Sequence, residues 1–321
     1  MSKWQFTKGL HDIGNDVFAY IQPDGGWGWS NSGLIVDQED SLLVDTLFTP
    51  SLTQEMLEQM CDATPAAKNI GVLVNTHANA DHTWGNQLIK DAKIIASTGC
   101  AEEFDHFLPE QIISMLENSA DLGLVGEFAE HCFSSFNFNG IELTPPTSTF
   151  EKEMSLLVGD KKVELFNVGP AHTRGDVLVF VPSDRVVFTG DIIFNGGHPV
   201  IWDGPIRNWQ KACDIILSLE ADVIVPGHGP ITDKTFVNVF KGYLDYIESE
   251  TKKRYEAGLS VWDAACDISL ADYDTWIDAE RIYGNVAALY REFEGDESSP
   301  MIMQIFEGMA RYHKEITLAE R

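Results

Sequence analysis

Long apolar segments and paired cysteines are absent from the sequence. No apolar run approaches the roughly 20 residues that a helix needs to span a bilayer, and residues 1–8 include no apolar signal segment. The five cysteines are dispersed along the chain without paired spacing, as is typical of reduced thiols. We therefore expect a cytoplasmic protein that does not associate with a membrane.

Positive charge is also scarce. The chain has 22 lysines and arginines against 50 aspartates and glutamates, which gives a formal net charge of −28. Such a protein would repel a nucleic-acid backbone or an anionic lipid surface. The expected partner is a small molecule, and nucleic acid is excluded.

Two classes of catalytic motif are missing as well. No Gly-x-Ser-x-Gly turn is present, and no cysteine lies in a glycine turn after a strand, so covalent nucleophilic catalysis is unsupported. No glycine-rich phosphate-binding loop follows a strand. A nucleotide cofactor is therefore not expected.

The stretch richest in chemistry is His77-Ala-Asn79-Ala-Asp81-His82. It follows an apolar strand predicted at residues 71–74. Imidazole nitrogen and carboxylate oxygen are ligands that a divalent transition metal prefers. Because a turn at the end of a strand can aim alternate side chains at one point, we interpret this stretch as part of a metal site.

Three further residues occupy equivalent places. His172 follows an apolar run through a Gly-Pro turn. Asp191 follows a second run, and His228 lies in a Pro-Gly-His-Gly-Pro turn after a third. A single histidine in such a place is as often structural as functional, but four segments with one pattern indicate a metal site assembled from loops at the edge of a sheet.

In order and spacing these residues resemble the metallo-β-lactamase superfamily over roughly residues 15–235. That family has a His-x-His-x-Asp-His motif, a later histidine, an aspartate after an apolar strand and a final histidine in a glycine turn. Asp45, at the end of an earlier strand, matches the family's aspartate behind the ligands. The residues that match the ligand motifs are His77, Asp81, His82, His172, Asp191 and His228.

The resemblance implies a protein of the α/β class, with a four-layer αβ/βα sandwich. It also implies a site for one or two divalent metal ions, usually zinc and sometimes iron or manganese. The family's geometry divides the ligands into a first pocket of His77, Asn79 and His172 and a second of Asp81, His82 and His228, with Asp191 able to bridge them.

Asn79 departs from the family pattern, which has its second histidine there. A carboxamide oxygen is a much poorer ligand for zinc than an imidazole nitrogen. The first pocket could therefore hold a weakly bound metal, a harder metal such as iron or manganese, or none, and Asn79 could instead only hydrogen-bond a neighbour. We expect the second pocket to be intact.

Apolar periodicity gives the organisation of the chain. It predicts strands at residues 17–21, 33–36, 41–44, 71–74, 93–96, 162–182, 185–189 and 223–225. It predicts helices at residues 50–65, 208–220, 237–257 and 276–293.

We expect two parts in this chain. Residues 1–235 would form the catalytic domain, in which residues 100–140 are a helical insertion beside the site. Residues 236–321 would form a helical C-terminal extension packed on that domain. Its apolar stripes, such as Ile282, Val286 and Leu289, also predict a homo-oligomer.

Two loops are expected to shape the substrate site. Residues 23–32 contain Trp27 and Trp29 among glycines, which suits a mobile apolar flap; the alternative is a hairpin loop whose tryptophans pack on their own sheet. The loop after Asp191 carries Phe194, His198 and Trp202. For His198 the alternatives are an extra metal ligand, a proton donor, a substrate contact or a structural role.

These features predict a hydrolase. A bound divalent metal lowers the pKa of its water to about 7, so hydroxide is available at neutral pH, and Asp81 is expected to hold or deprotonate that water. The aromatic rim favours a small, fairly apolar substrate with an ester, thioester or lactone-like bond. Alternatives are hydrolytic removal of a halide or alkoxide from an activated aromatic ring, and a non-hydrolytic metal-binding regulatory or partner protein, which Asn79 keeps open.

Overall fold

A computed structural model describes residues 4–296 and 301–317, which contain two β-sheets. The first sheet comprises, in spatial order, β1 (Gly9–Gly14), β2 (Val17–Ile21), β3 (Ser32–Asp37), β4 (Asp40–Val44), β5 (Val72–Val74), β6 (Lys93–Ser97) and β7 (Ser148–Phe150). The second comprises β12 (Val223–Val225), β11 (Val186–Phe188), β10 (Val177–Val181), β9 (Lys161–Asn167) and β8 (Glu153–Val158).

The helices surround these sheets. They are α1 (Pro50–Ala63), α2 (Ala80–Thr83), α3 (Thr98–Glu103), α4 (Pro109–Glu117), α5 (Leu124–Phe133), α6 (Ile206–Ser218), α7 (Lys234–Glu256), α8 (Val261–Asp267), α9 (Arg281–Glu294) and α10 (Ile302–Tyr312). Among the described residues no helix combines the length and the apolar character needed to cross a membrane.

Both sheets are buried on their two faces, which explains why their strands are almost continuously apolar. Because successive side chains of a strand point to opposite faces, Val177 and Val179 of β10 pack between the sheets, against Val44 of β4. Leu178 and Phe180, from the same strand, face the other way and pack under α6, α7 and α9.

The outer face of the first sheet is covered in the same manner. Leu43 of β4 and Leu73 of β5 pack against Met56 and Met60 of α1. The order of layers is therefore helix, sheet, sheet, helix. The expected four-layer αβ/βα sandwich, with helices in the range 100–140 and a helical C-terminal segment, is confirmed.

The predicted helix at residues 276–293 is wrong at its start, because α9 begins at Arg281. Asp278 has a positive φ of 60°, which a right-handed helix does not accommodate. Ile277 instead exchanges backbone hydrogen bonds with the segment after Asn195: its N–H donates to the Gly196 carbonyl, and its own carbonyl accepts from the His198 N–H. Ile277 therefore lies in a β-bridge with Gly197, and a turn at Ala279 and Glu280 leads into α9.

Three strands, β1, β7 and β8, are not predicted by the sequence pattern. All three lie at an edge of a sheet, where one side of the strand faces solvent and polar residues interrupt the apolar pattern. In β8, Leu157 is 70% exposed although it is apolar. The strands without a clear apolar run thus lie at sheet edges, although the edge strand β12 has one.

The apolar stripe of Ile282, Val286 and Leu289 is fully buried within the chain, in the cluster that α6 and α7 also form. This stripe offers no surface to a second copy. The homo-oligomer stays a prediction, and light scattering at micromolar concentration would test it.

Candidate metal centre and substrate cavity

The predicted ligands lie in loops that follow β5, β9, β11 and β12. The first loop leads into the single turn of α2, so that Asp81 and His82 lie on its first turn and Asn79 precedes it. The other loops bring His172, Asp191 and His228 from the second sheet. The ligand loops of both sheets thus meet at one edge of the sandwich.

Asp191 is the centre of the cluster. Its Oδ1 lies 3.0 Å from Nε2 of His82, and its Oδ2 lies 3.4 Å from Nε2 of His172. The same Oδ2 lies 3.5 Å from Nε2 of His228 and 3.7 Å from Nε2 of His77. All four imidazoles therefore present Nε2 to one carboxylate.

The opposite ring nitrogen of each histidine fixes this orientation. Nδ1 of His172 is 2.7 Å from the Val200 carbonyl oxygen, and Nδ1 of His228 is 3.1 Å from the Gly25 carbonyl oxygen. A carbonyl only accepts hydrogen bonds, so Nδ1 carries the proton in both rings. In the neutral ring the lone pair is then on Nε2, as a metal ligand requires.

Asp45 orders the remaining two histidines. Its Oδ2 accepts from Nδ1 of His82 at 2.9 Å and from the Thr76 hydroxyl at 2.7 Å. Because that hydroxyl uses its proton on Asp45, its oxygen accepts from Nδ1 of His77 at 3.0 Å. One buried carboxylate behind the ligands thus sets the tautomer of two imidazoles, the kind of outer support common at metal sites.

The cluster has the donor set of a metal site. Among the described residues, Nε2 of His77 has no hydrogen-bond partner, and Nε2 of His82 and Oδ1 of Asp191 lie 3.0 Å apart without the geometry of a hydrogen bond. Such buried polar atoms would be costly in a finished protein core. Two groups have ligand atoms within 4.8 Å of one another, namely His77, His82 and Asp191, and Asp81, His82 and His228. The residues present therefore fit a divalent cation.

The two expected pockets differ in the structure. Asp81, His82 and His228 lie together, with Oδ2 of Asp81 3.2 Å from Nε2 of His228. In the first pocket the ring centroids of His77 and His172 lie 5.1 Å apart, and Nδ2 of Asn79 lies 3.0 Å from Nε2 of His172 and donates to it. Asn79 thus engages the atom that His172 would offer to a metal.

Charge within the cluster is unevenly distributed. Burial lowers the pKa of His172 to about 4. Burial also opposes a charge on His228, but the carboxylates of Asp191 and Asp81 raise its pKa to about 9. Burial likewise disfavours ionised Asp81, yet His82 and His228 lower its pKa to about 2. Protons and a metal would compete for the same atoms.

A cavity of about 220 Å³ opens beside the cluster. Asp81, Asp191 and His228 lie at one end of it. Its wall is mainly apolar, with several aromatic rings, and includes three of the expected residues, Trp27, Phe194 and Trp202. Further aromatic lining comes from Phe48, Phe107, Phe133 and Phe306.

Trp29 and His198 are not among the described residues that line this cavity. The ring of Trp29 packs on Phe136, with centroids 4.6 Å apart. His198 is fully buried, and its Nδ1 lies 3.1 Å from the Tyr243 hydroxyl. Of the alternatives for His198, this placement agrees with a structural role.

Several lining residues have no local sequence signal. Phe107 and Phe133 belong to the helical segment before β7, and Phe306 to α10. Arg281, the first residue of α9, also lines the cavity. Their position depends on packing between segments distant in sequence, which apolar periodicity alone does not reveal.

The chain belongs to the metallo-beta-lactamase superfamily, whose family model matches residues 25–228. The hydrolase class expected from the sequence is thereby confirmed. The metallo-beta-lactamase type 2 of Bacillus cereus is 23% identical over 210 residues, which is 64% of this chain and 69% of that protein.

Two other proteins match a larger share of this chain. The 2,4-dinitroanisole O-demethylase subunit alpha of Nocardioides sp. (strain JS1661) is 21% identical over 296 residues, which is 85% of this chain and 75% of that protein. The sec-alkylsulfatase Pisa1 from Pseudomonas sp. has a similar structure, with a TM-score of 0.66 at 15% identity over 93% of this chain. This chain spans about half (52%) of the alkylsulfatase, and that likeness shows the fold alone.

Proposed function

We propose that the chain hydrolyses a small, largely apolar substrate with an aromatic part, at an ester, thioester or lactone-like bond. The observation that carries the proposal is a cavity that is lined both by side chains of the candidate metal cluster and by several aromatic rings. Such a cavity places the reacting group of a substrate at the cluster and its apolar body against the rings.

Zinc is the proposed metal, because imidazole nitrogen and carboxylate oxygen are its usual ligands in proteins. Iron or manganese is the alternative, favoured if a carboxamide such as that of Asn79 contributes. His82, Asp81, His228 and Asp191 would hold the ion, with His77 as a further ligand. When bound, a divalent metal acidifies water to a pKa of about 7 and polarises a carbonyl oxygen.

Asp81 has the position of a general base. Its side chain is 14% exposed, more than those of His228 and Asp191, and it lines the cavity. Because neighbouring imidazoles keep its pKa low, at about 2, its carboxylate is ionised at neutral pH and accepts a hydrogen bond from water. Asp81 would thus hold and orient the attacking water, whereas so low a pKa makes its carboxylate a weak acceptor of the proton itself.

The aromatic wall binds the substrate and excludes water. Rings such as Trp27, Phe133 and Phe194 offer apolar faces on which an aromatic substrate stacks. Displacing water from these faces favours binding and also strengthens the electrostatic interactions near Asp81. The cavity therefore discriminates in favour of uncharged aromatic substrates.

Purified protein loaded with zinc would test the proposal. It should hydrolyse phenyl or 4-nitrophenyl esters, lose activity on chelation and regain it when zinc is restored. Hydrolysis in ¹⁸O-labelled water should place the label in the carboxylic acid. Stoichiometric metal binding without turnover of esters, thioesters, lactones or activated aryl substrates would instead favour a regulatory or partner role.

A second candidate is displacement of an alkoxide or halide from an activated aromatic ring. Two observations favour it: the aromatic wall, and the similarity to the 2,4-dinitroanisole O-demethylase subunit over 85% of this chain. The same labelling experiment separates the two reactions. With 2,4-dinitroanisole, ring displacement would place ¹⁸O in the phenol and leave the methanol unlabelled.

A further inference from the structure

Trp27, in the aromatic wall, is held in place by two residues of the C-terminal segment, Glu280 and Arg281. The indole Nε1 of Trp27 donates to Oε1 of Glu280 at 2.9 Å. The guanidinium of Arg281, the next residue, lies 4.1 Å from the centroid of the same ring. Trp27 and Glu280 are 253 residues apart in sequence, so this contact joins two distant parts of the chain at the cavity.

The other neighbours of Trp27 leave its ring little freedom. Phe128 and Phe133, on α5, meet it edge-on with centroids 6.3 Å away in each case. The ring is therefore enclosed by a hydrogen bond, a cation and two aromatic edges. A tryptophan on a glycine-rich loop is held here as a fixed wall rather than as a free flap.

Glu280 is a buried carboxylate that the metal cluster does not use. It is 2% exposed, and burying such a group is costly unless it is paired. Its second oxygen, Oε2, lies 3.5 Å from Nδ1 of His313 in the C-terminal segment. Burial raises the pKa of Glu280, but His313 and the Trp27 N–H outweigh burial and lower it.

The loop that carries Trp27 also contacts the metal cluster. The Gly25 carbonyl accepts from Nδ1 of His228 at 3.1 Å, and the Ser30 hydroxyl donates to the Asp81 carbonyl at 2.5 Å. The position of Trp27 is thus tied to the ligands at one side and to Glu280 at the other.

We propose that Glu280 is a positioning residue that fixes Trp27 and so sets the preference of the cavity for aromatic substrates. This inference rests on the proposed function in taking the cavity as the substrate site. Glu280 lies beyond residue 228, where the family match ends. Specificity is therefore assigned to the C-terminal extension, and the hydrolytic chemistry to the family core.

The test measures binding of 4-nitrophenol, an aromatic product analogue, by equilibrium dialysis with the zinc-loaded protein. Glu280→Ala removes the acceptor of the indole N–H, so the ring is no longer held in place for the ligand. The dissociation constant should rise by up to about tenfold, the value reached if the whole free energy of a hydrogen bond to a charged group serves to fix the ring. Glu280→Gln keeps an acceptor oxygen and should stay within about threefold of the original protein. With 4-nitrophenyl acetate, the alanine variant should raise KM and leave kcat nearly unchanged.

Trp27→Phe provides an independent variant. It keeps an aromatic ring in the wall and removes the N–H donor, so it should weaken 4-nitrophenol binding in the same direction as Glu280→Ala. The matched control is Glu292→Ala, on α9, the helix that Glu280 precedes; its carboxylate accepts from the Ile206 N–H at 3.1 Å. The control should leave 4-nitrophenol binding unchanged, and the zinc content should be equal in all variants.

Unaltered 4-nitrophenol binding in both Glu280→Ala and Trp27→Phe would overturn the inference. Equal weakening in Glu292→Ala would also overturn it, since the effect would then come from general loosening of α9. These outcomes are independent of turnover. If no ester is hydrolysed but the binding constants change as described, the proposed function fails and the positioning role stands.

Discussion

The two ends of the cavity are built in opposite ways. At the metal end, His77, Asp81 and His82 come from six consecutive residues, and each remaining ligand directly follows a strand. At the aromatic end, Trp27 and Phe306 come from segments far apart, which meet only through packing of α5, α9 and α10.

This contrast suggests that the metal end determines the reaction and the aromatic end determines which substrate binds. The metal end requires a few polar atoms in fixed positions, which loops on a rigid sheet supply. The aromatic end requires shape and apolar surface, which many combinations of side chains provide. Substitutions at the metal end should therefore change metal binding and rate, and those at the aromatic end should change substrate affinity.

The largest expected effect is the loss of folding when the C-terminal helical segment is removed from the catalytic domain. A chain truncated after Thr232 should not fold, because Phe240 and Leu289 share one buried cluster with Trp209 and Ile192 of the N-terminal part. Each large buried side chain contributes about 1.5–3 kcal/mol, while a whole domain is stable by only about 5–15 kcal/mol. Circular dichroism would show the loss of structure, and a folded, zinc-binding truncated protein would contradict this prediction.

Removing a candidate metal ligand should abolish most of the activity but leave the fold intact. His228→Ala deletes a nitrogen that faces both Asp81 and Asp191. Metal-dependent activity should fall more than about 100-fold, beyond the loss typical of outer-sphere residues. His11→Ala, in β1, is the matched histidine control and should keep both activity and zinc content. Equal zinc content in the two variants would count against the ligand assignment.

Asn79 tests whether the first pocket can be restored. In Asn79→His the amide no longer engages Nε2 of His172, and an imidazole takes its place. The zinc content measured by mass spectrometry should rise from about one to about two ions per chain, as two-metal members of such sites have. Asn79→Ala frees His172 without adding a ligand and should show no rise. The same zinc content in all three proteins would show that Asn79 does not limit the first pocket.

Sequence alone places the candidate ligands at strand ends, and the structure brings their side chains together. The four-layer sandwich and its inner strands follow from apolar runs, and every candidate ligand follows from a strand end. Asp45 was expected behind the ligands, and it hydrogen-bonds His82 and Thr76 there. These features are local, so a pattern of neighbouring residues is enough to predict them.

The aromatic end is much less accessible to such reasoning. Glu280 and Arg281 lie at the start of α9, and nothing in their neighbourhood indicates that they meet Trp27. The expected helix at residues 276–293 even assigned Glu280 to a helix interior. Contacts between segments 250 residues apart depend on tertiary packing, which periodicity does not encode.

The smallest expected effect is at His198, which lies behind the cavity. His198→Gln removes a titrating ring and keeps a partner for the Tyr243 hydroxyl. Zinc content and kcat at pH 7 should be unchanged. Burial and the nearby Arg281 guanidinium lower the pKa of His198 to about 4. His198 is therefore protonated near pH 6.5 in the unfolded chain, but only near pH 4 in the folded protein.

The sign of the pH effect follows from this difference. His198 contributes fully to stability above about pH 6.5, and its contribution is lost as the pH falls toward 4. The loss amounts to at most about 3 kcal/mol, and His198→Gln should lack it. Urea unfolding of both proteins between pH 4 and 7 measures the difference. Parallel pH profiles would contradict the lowered pKa of His198, and zinc lost from the variant at pH 7 would show that His198 belongs with the ligands.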